Sequence, residues 1–174
     1  LHGARASKWH SEAFDAFRAL PRQRHGAPAT ELPARLDYRQ PRQAVNLAVL
    51  PLFPGIQAAH VRALLSTGVQ ALLLECYGSG TGPAADSELL AALHSAHEKG
   101  VVLAAISQCP SGHVEFGVYA AGSQFASCGL ISGGGMTREA ALGKLFALLA
   151  AGMSQSEVEH WFALDLCGEL LEAT

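Results

Sequence analysis

The sequence predicts an α/β domain, a small flavodoxin-like fold in which helices cover both faces of a four-stranded parallel sheet, preceded by an extended linker. Three observations carry this. Short runs at 45–50, 69–76, 101–107 and 129–132 are mostly apolar or small, without the alternation of a half-exposed strand, as strands covered on both faces are. The segments between them repeat apolar residues at helical spacing, and strands alternating with helices build parallel sheets through right-handed crossovers. Glycine and proline punctuate the changes of element.

The first 43 residues read as the end of a preceding domain and the linker that leaves it. They hold eight Arg and Lys against four acids, spread among Pro21, Pro28, Pro33 and Pro41 in the manner of an extended connector. Val45 to Leu50 is the first strand, ended by Pro51 and a turn at Phe53-Pro54-Gly55, after which Ile56, Val61, Leu64 and Leu65 recur on one helical face. Val69 to Cys76 is the second strand. Asp86 to Lys99 is the second helix, with Leu89, Leu90, Leu93 and Ala96 on one side and Gly100 at its end. Val101 to Ser107 is the third strand, followed by a loop at Cys109-Pro110-Ser111-Gly112 and a small-residue helix from Glu115 to Ser127. Gly129 to Ser132 is the fourth strand. Thr137 caps a helix from Arg138 to Ala151, with Glu139 in the first turn where the dipole favours an acid. A last helix runs from Ser154 to Leu166.

A chain of 174 residues buries the core of one domain of ordinary size, which we place at 44–174. No apolar run reaches the 18 residues or so of a membrane span, so no membrane partner is expected. The net charge of −3 hides an asymmetry, because residues 44–174 carry four Arg and Lys against eleven acids. A basic arm before an acidic body suggests nucleic acid, but phosphate-binding faces interleave basic residues with aromatics on a folded surface, and this arm does not. Nucleic acid is not expected as a partner. Cys76, Cys109, Cys128 and Cys167 lack C-x-x-C spacing, and three of them lie in or beside apolar runs, where a reduced thiol acts as a small hydrophobe. A reducing, cytoplasmic compartment is the expectation. No signal peptide is visible, and Leu1 and the residues after it read as the end of a preceding domain.

Strand two breaks into Tyr77-Gly78-Ser79-Gly80-Thr81-Gly82-Pro83 just before a helix, the place where α/β proteins hold ligands. Loop glycines let backbone approach a small molecule, and a helix N-terminus favours an anion. The spacing is not the dinucleotide fingerprint: Pro83 and Ala84 stand where its third glycine belongs, and 101–109 lacks the acid that would meet a ribose. The loops at 77–83 and 107–113 leave the same edge of the sheet and should converge on one site. His94 and His97 lie one helical turn apart, but nothing is spaced to complete a metal site, and solvent-facing histidines are expected. No cofactor is expected. A Cys109 nucleophile needs a paired base, for which His113 is the near candidate; Ser107, Cys109 and Ser111 fit better as small polar contacts to a ligand.

Read together, Tyr77 to Pro83, Gln108-Cys109-Pro110-Ser111-Gly112, Tyr119-Ala120-Ala121-Gly122, Gly129 to Gly133, Met136-Thr137-Arg138-Glu139-Ala140 and Lys144-Leu145 resemble the C-terminal half of the cytoplasmic, type I L-asparaginases. Arg5-Ala6-Ser7-Lys8 with Phe14-Asp15-Ala16-Phe17 resembles the family segment that leaves the N-terminal domain, and Gly168-Glu169-Leu170 its closing residues. The resemblance implies hydrolysis of the asparagine side-chain amide to aspartate and ammonia through a threonine nucleophile and an acyl-enzyme. It also implies that the catalytic threonines, lysine and aspartate belong to an N-terminal domain, so no catalytic residue is assigned to this chain. Thr30, Thr67, Thr81, Thr137 and Thr174 do not lie in nucleophile motifs, and Lys8 belongs to the exit segment.

The resemblance further implies an amino acid as small-molecule substrate, and as partners the N-terminal asparaginase domain and further copies in a dimer or tetramer. Its glycine loop, here with Gly80 and Thr81, reaches the active site of a neighbouring subunit. Thr81 replaces the usual asparagine and offers one donor rather than two. A regulatory asparagine site in several type I enzymes uses an arginine, a threonine and a cysteine at the positions of Glu75, Ser107 and Cys109. An acid in place of the arginine converts attraction for a carboxylate into repulsion of roughly 1 to 4 kcal/mol, so such regulation is expected to be absent or altered. The rival expectations are a non-enzymatic module that binds a small anion or amino acid, and a nucleotide-binding domain.

Overall fold

The run Ala71–Cys76 is buried at every position, and the run Val102–Ser107 likewise, because each has a strand on either side and helices above and below. The computed structural model describes residues 33–36, 43–83, 86–109, 112–166 and 169–170. The Arg5 to Phe17 motifs, most of the expected linker, Pro110, Ser111, Cys167 and Gly168 lie outside the described residues.

Four strands, β1 (Leu47–Pro51), β2 (Ala71–Cys76), β3 (Val102–Ser107) and β4 (Leu130–Ser132), pair in parallel in the order β1-β2-β3-β4. Pro51 is tolerated because β1 is an edge strand and its missing N–H removes no ladder bond on the paired side. The helices are α1 (Ala58–Leu65), α2 (Ser87–Glu98), α3 (Ala120–Ser127), α4 (Arg138–Ala150) and α5 (Gln155–Phe162). Right-handed crossovers that always step in one direction place their helices on one face. Accordingly α1, α2 and α3 share a core with Leu72, Leu74 and Cys76. After β4 the chain passes to the other face, where α4 and α5 bury Leu145, Leu148, Val158 and Phe162 against Ala71, Leu73, Ala104 and Ile106. The four parallel strands and two helical layers match the expectation, while the order differs from flavodoxin-like sheets in having no reversal among the four strands.

Sequence signals set the helix starts. Asp86 accepts hydrogen bonds from the N–H groups of Glu88 and Leu89, both 3.0 Å, and Thr137 Oγ1 from that of Ala140 at 3.2 Å. Ser154 and Glu157 form a reciprocal capping box at α5. A short 3-10 turn, Ala34–Leu36, lies against α5 through Arg35 and Glu157, 3.2 Å apart.

Two helix boundaries differ from the reading of the sequence. The third helix begins at Ala120 rather than Glu115, because 112–116 has its amides engaged elsewhere: Val114 N–H donates to Gly134 O at 3.0 Å and Glu115 N–H to Ser79 O at 2.9 Å. The last helix ends at Phe162 rather than Leu166. Beyond it the chain folds back, with Leu164 O accepting from Lys144 Nζ and Leu166 N–H donating to Glu169 Oε1 at 3.0 Å.

Candidate functional site

Side chains along β2 alternate between the two cores, so Glu75 falls on the α4 face at the strand's C-terminal end. There α4 begins. Its first residue, Arg138, donates through Nε to Glu75 Oε1 at 2.5 Å and through Nη2 to Oε2 at 2.7 Å, the fork-to-fork geometry that guanidinium and carboxylate favour. The carboxylate side chain is 6% exposed and the arginine 54%. Hydrogen bonding to Glu75, then its charge, raises the Arg138 pKa above the ordinary arginine value.

The pair lines a cavity of about 510 Å³ with Pro51, Ile106, Ser107, Gln108 and Glu139. It opens at the C-terminal ends of β1 to β3, where parallel sheets hold ligands. Gln108 Nε2 donates to the carbonyls of Leu52 and Glu75, both 2.6 Å, which ties the loop after β3 to the ends of β1 and β2.

The glycine loop turns tightly. Tyr77 N–H donates to Thr81 O at 2.8 Å and Gly80 N–H to Tyr77 O at 2.8 Å. Gly80 has φ +99°, and a Cβ there would stand 2.6 Å from Val114 Cγ1, so both conformation and space require glycine. A Cβ on Gly82 would stand 2.6 Å from Leu52 Cδ1. Ser107 Oγ donates to Gly78 O at 2.7 Å and accepts from Cys109 N–H at 3.1 Å. The loops after β2 and β3 therefore do meet, through Ser107.

The expected residues divide into two groups. Glu75 and Ser107 line the cavity; Gly80, Thr81 and Cys109 are not among its lining residues. Glu75 is not a bare anion facing a ligand, as the charge argument supposed. Its carboxylate is neutralised by Arg138, so that repulsion argument does not hold. Arg138 is the residue the sequence reading missed, although a signal was present: a cation at the first helical position runs against the dipole, which marks it as held by a nearby acid.

His97 is also corrected. Its Nε2 lies 2.9 Å from Glu159 Oε1 and both are largely covered, so it joins α2 to α5 rather than facing solvent. His94 is exposed, 3.5 Å from Glu98. Among the described residues no group of three or more His, Cys, Asp or Glu is placed to hold a metal ion, and no helix is long and apolar enough to cross a membrane. Cys76 and Cys128 are buried and Cys109 is exposed. Burial pushes the Cys76 thiol up to about 12, which leaves it protonated and inert at neutral pH.

Residues 46–162 match the model of the Glutaminase/Asparaginase C-terminal domain. The chain is 35% identical over 179 residues to L-asparaginase 1 of Escherichia coli K12, covering 97% of this chain and 52% of the relative. It is 37% identical over 182 residues to the 60 kDa lysophospholipase of Homo sapiens, covering 98% and 31%. Among solved structures, L-asparaginase I from Vibrio cholerae superposes with a TM-score of 0.71 at 39% identity, covering 76% of this chain and 40% of that one. The chain spans about half the length of the E. coli relative and less of the human one.

Proposed function

Because the chain belongs to the Glutaminase/Asparaginase C-terminal domain family, we propose that it is the C-terminal part, residues 44–174, of an enzyme that hydrolyses L-asparagine to L-aspartate and ammonia. The observation that carries this is the family match over 46–162 together with 35% identity to a named asparaginase along nearly the whole chain. Residues 1–43 are the end of the N-terminal domain and the linker to it. That domain supplies the threonine nucleophile and its activating groups, and this half contributes binding and assembly.

Gly80 and Thr81 are the substrate-loop residues, presented to the active site of a neighbouring subunit. The tight Tyr77–Thr81 turn supports this role, because it fixes Gly80 and Thr81 at the C-terminal edge of the sheet, the N–H of each donating to Tyr77 O. Exposed Phe53, Val118, Tyr119 and Phe146 give the domain apolar surface for association with its N-terminal half and with other copies. The cavity bounded by Glu75 and Ser107, with Cys109 on the adjoining loop, stands at the regulatory position for an amino acid. Arg138 is the cation that lines it, and its charge is already met by Glu75, so regulation there is absent or altered. The proposed compartment is the cytoplasm.

The test is ammonia release from asparagine. The 174-residue chain alone should give none, and the longer protein that includes its N-terminal domain should give turnover. Activity of the isolated chain that survives repurification overturns the assignment of catalysis to the other half; a longer protein inert toward asparagine overturns the substrate.

A further inference from the structure

We infer that the C-terminal residues Glu169 and Leu170 position the Tyr77–Thr81 turn by fixing the extended segment that lies on it. This rests on the reading of Gly80 and Thr81 as substrate-loop residues, and makes Glu169 and Leu170 positioning residues for that loop.

The chain of contacts starts in the core. Lys144 and Glu169 form an ion pair, Nζ to Oε1 2.5 Å, with side chains 2% and 0% exposed. Charges so deep are strongly destabilising when one partner is removed, so the pair holds Glu169 on α4. The same carboxylate accepts from Leu166 N–H at 3.0 Å, and Glu169 N–H donates to Asp165 Oδ1 at 3.0 Å. The fold-back after α5 is thereby closed.

Leu170 then reaches Gly134. A Cβ on Gly134 would stand 3.2 Å from Leu170 Cδ2 and 3.4 Å from His113 Cε1, so the two side chains close on that glycine together. Gly134 in turn holds Val114. Its carbonyl accepts from Val114 N–H at 3.0 Å, and its N–H donates to Ser132 Oγ at 3.0 Å, which donates to Val114 O at 2.7 Å. Both backbone polar groups of Val114 are fixed by the segment on which Leu170 rests. Val114 packs its Cγ1 on Gly80, and the next N–H, of Glu115, donates to Ser79 O at 2.9 Å. Tail and turn are thus separated by two small pieces of backbone, each held at defined atoms.

Amide hydrogen exchange on the 174-residue chain tests this without requiring turnover. Leu170→Ala leaves the ion pair in place and so does not risk the fold as Glu169→Gln does. In Leu170→Ala the amides of Gly80, Thr81, Val114 and Glu115 should exchange at least about tenfold faster, with those of Leu72, Leu73 and Leu74 unchanged, because a local opening and not global unfolding has been favoured. Unchanged exchange at the turn overturns the inference, and so does an equal rise at the turn and in β2. In the longer protein the same variant should raise KM for asparagine more than it lowers kcat, the pattern of a disturbed binding loop. A longer protein without asparaginase activity would remove the substrate reading and leave the exchange result standing.

Discussion

Glu75 and Arg138 join the last turn of a buried strand to the first residue of the helix that covers it, with both carboxylate oxygens engaged at 2.5 and 2.7 Å. The two partners are not equivalent. Glu75 is buried and Arg138 is half exposed, so removing the arginine strands a charge that removing the acid does not.

Arg138→Ala should therefore cost more than Glu75→Gln, on the order of 2 to 4 kcal/mol against about 1 kcal/mol. The double variant should be less destabilised than the sum of the two. Urea unfolding of all three measures this, and equal costs would show that water reaching the cavity screens the stranded carboxylate.

Lys144 and Glu169 should give a steeper version of the same pattern because neither touches solvent. Glu169→Gln removes the carboxylate that faces a buried ammonium and should cost roughly 3 to 5 kcal/mol. Lys144→Met combined with Glu169→Leu removes both charges and should recover most of that loss. Thermal unfolding of the single and double variants decides it.

At Gly80 and Gly82 the same substitution should fail for different reasons. Gly80→Ala meets Val114 and also forces an L side chain to φ +99°, whereas Gly82→Ala meets Leu52 and Phe125 at an ordinary backbone angle. Each should cost about 1 to 3 kcal/mol. In double-variant cycles from urea unfolding, Val114→Ala should offset the cost of Gly80→Ala only in part because the strained φ stays, and Leu52→Ala should offset that of Gly82→Ala only in part because the Phe125 contact stays.

Thiol labelling should follow exposure. At pH 8 iodoacetamide should modify Cys109 in the native chain, while Cys76, its thiol pushed up to about 12 by burial, and buried Cys128 should react only when the chain is unfolded. Peptide mapping by mass spectrometry reads the order, and early loss of Cys76 would mean that β2 opens readily.

Mild acid should loosen the start of α5. The Glu157 carboxyl is held below its ordinary value of 4.5 by the Ser154 N–H, then the Ser154 hydroxyl, with Arg35 contributing less. A depressed folded pKa gives stability that is complete above 4.5 and disappears as pH falls through the folded value. Glu157→Gln should therefore lower stability at pH 7, where the carboxylate contributes in full, with the gap to the unmutated chain closing as pH falls through the folded value, as read by urea unfolding across pH.

Much of the fold was legible because it depends on local signals. Unalternating runs such as Ala71–Cys76, short and flanked by Gly68 and Gly78, read as strands covered on both faces, and Asp86 and Thr137 announce their helices as caps. The boundaries that differed, at Glu115 and Leu166, are set by partners distant in sequence, Gly134 and Lys144, which no local pattern reveals. The site follows the same division. Ser107 was found because it ends a strand, and its meeting with the glycine loop was expected from the shared sheet edge. The Glu75–Arg138 pair joins residues 63 positions apart, and His97 finds Glu159 62 positions away, so their charges looked solitary in the sequence.

The order β1-β2-β3-β4 also bears on how the domain is made. Synthesis runs from the N-terminus, and here every strand docks beside the one released just before it, so no edge waits for a distant partner. Sheets of this kind can grow as the chain leaves the ribosome, with each βα unit serving as template for the next. Glu169 and Leu170 follow all four strands and α5 in the chain, so they emerge after the core they fasten has formed.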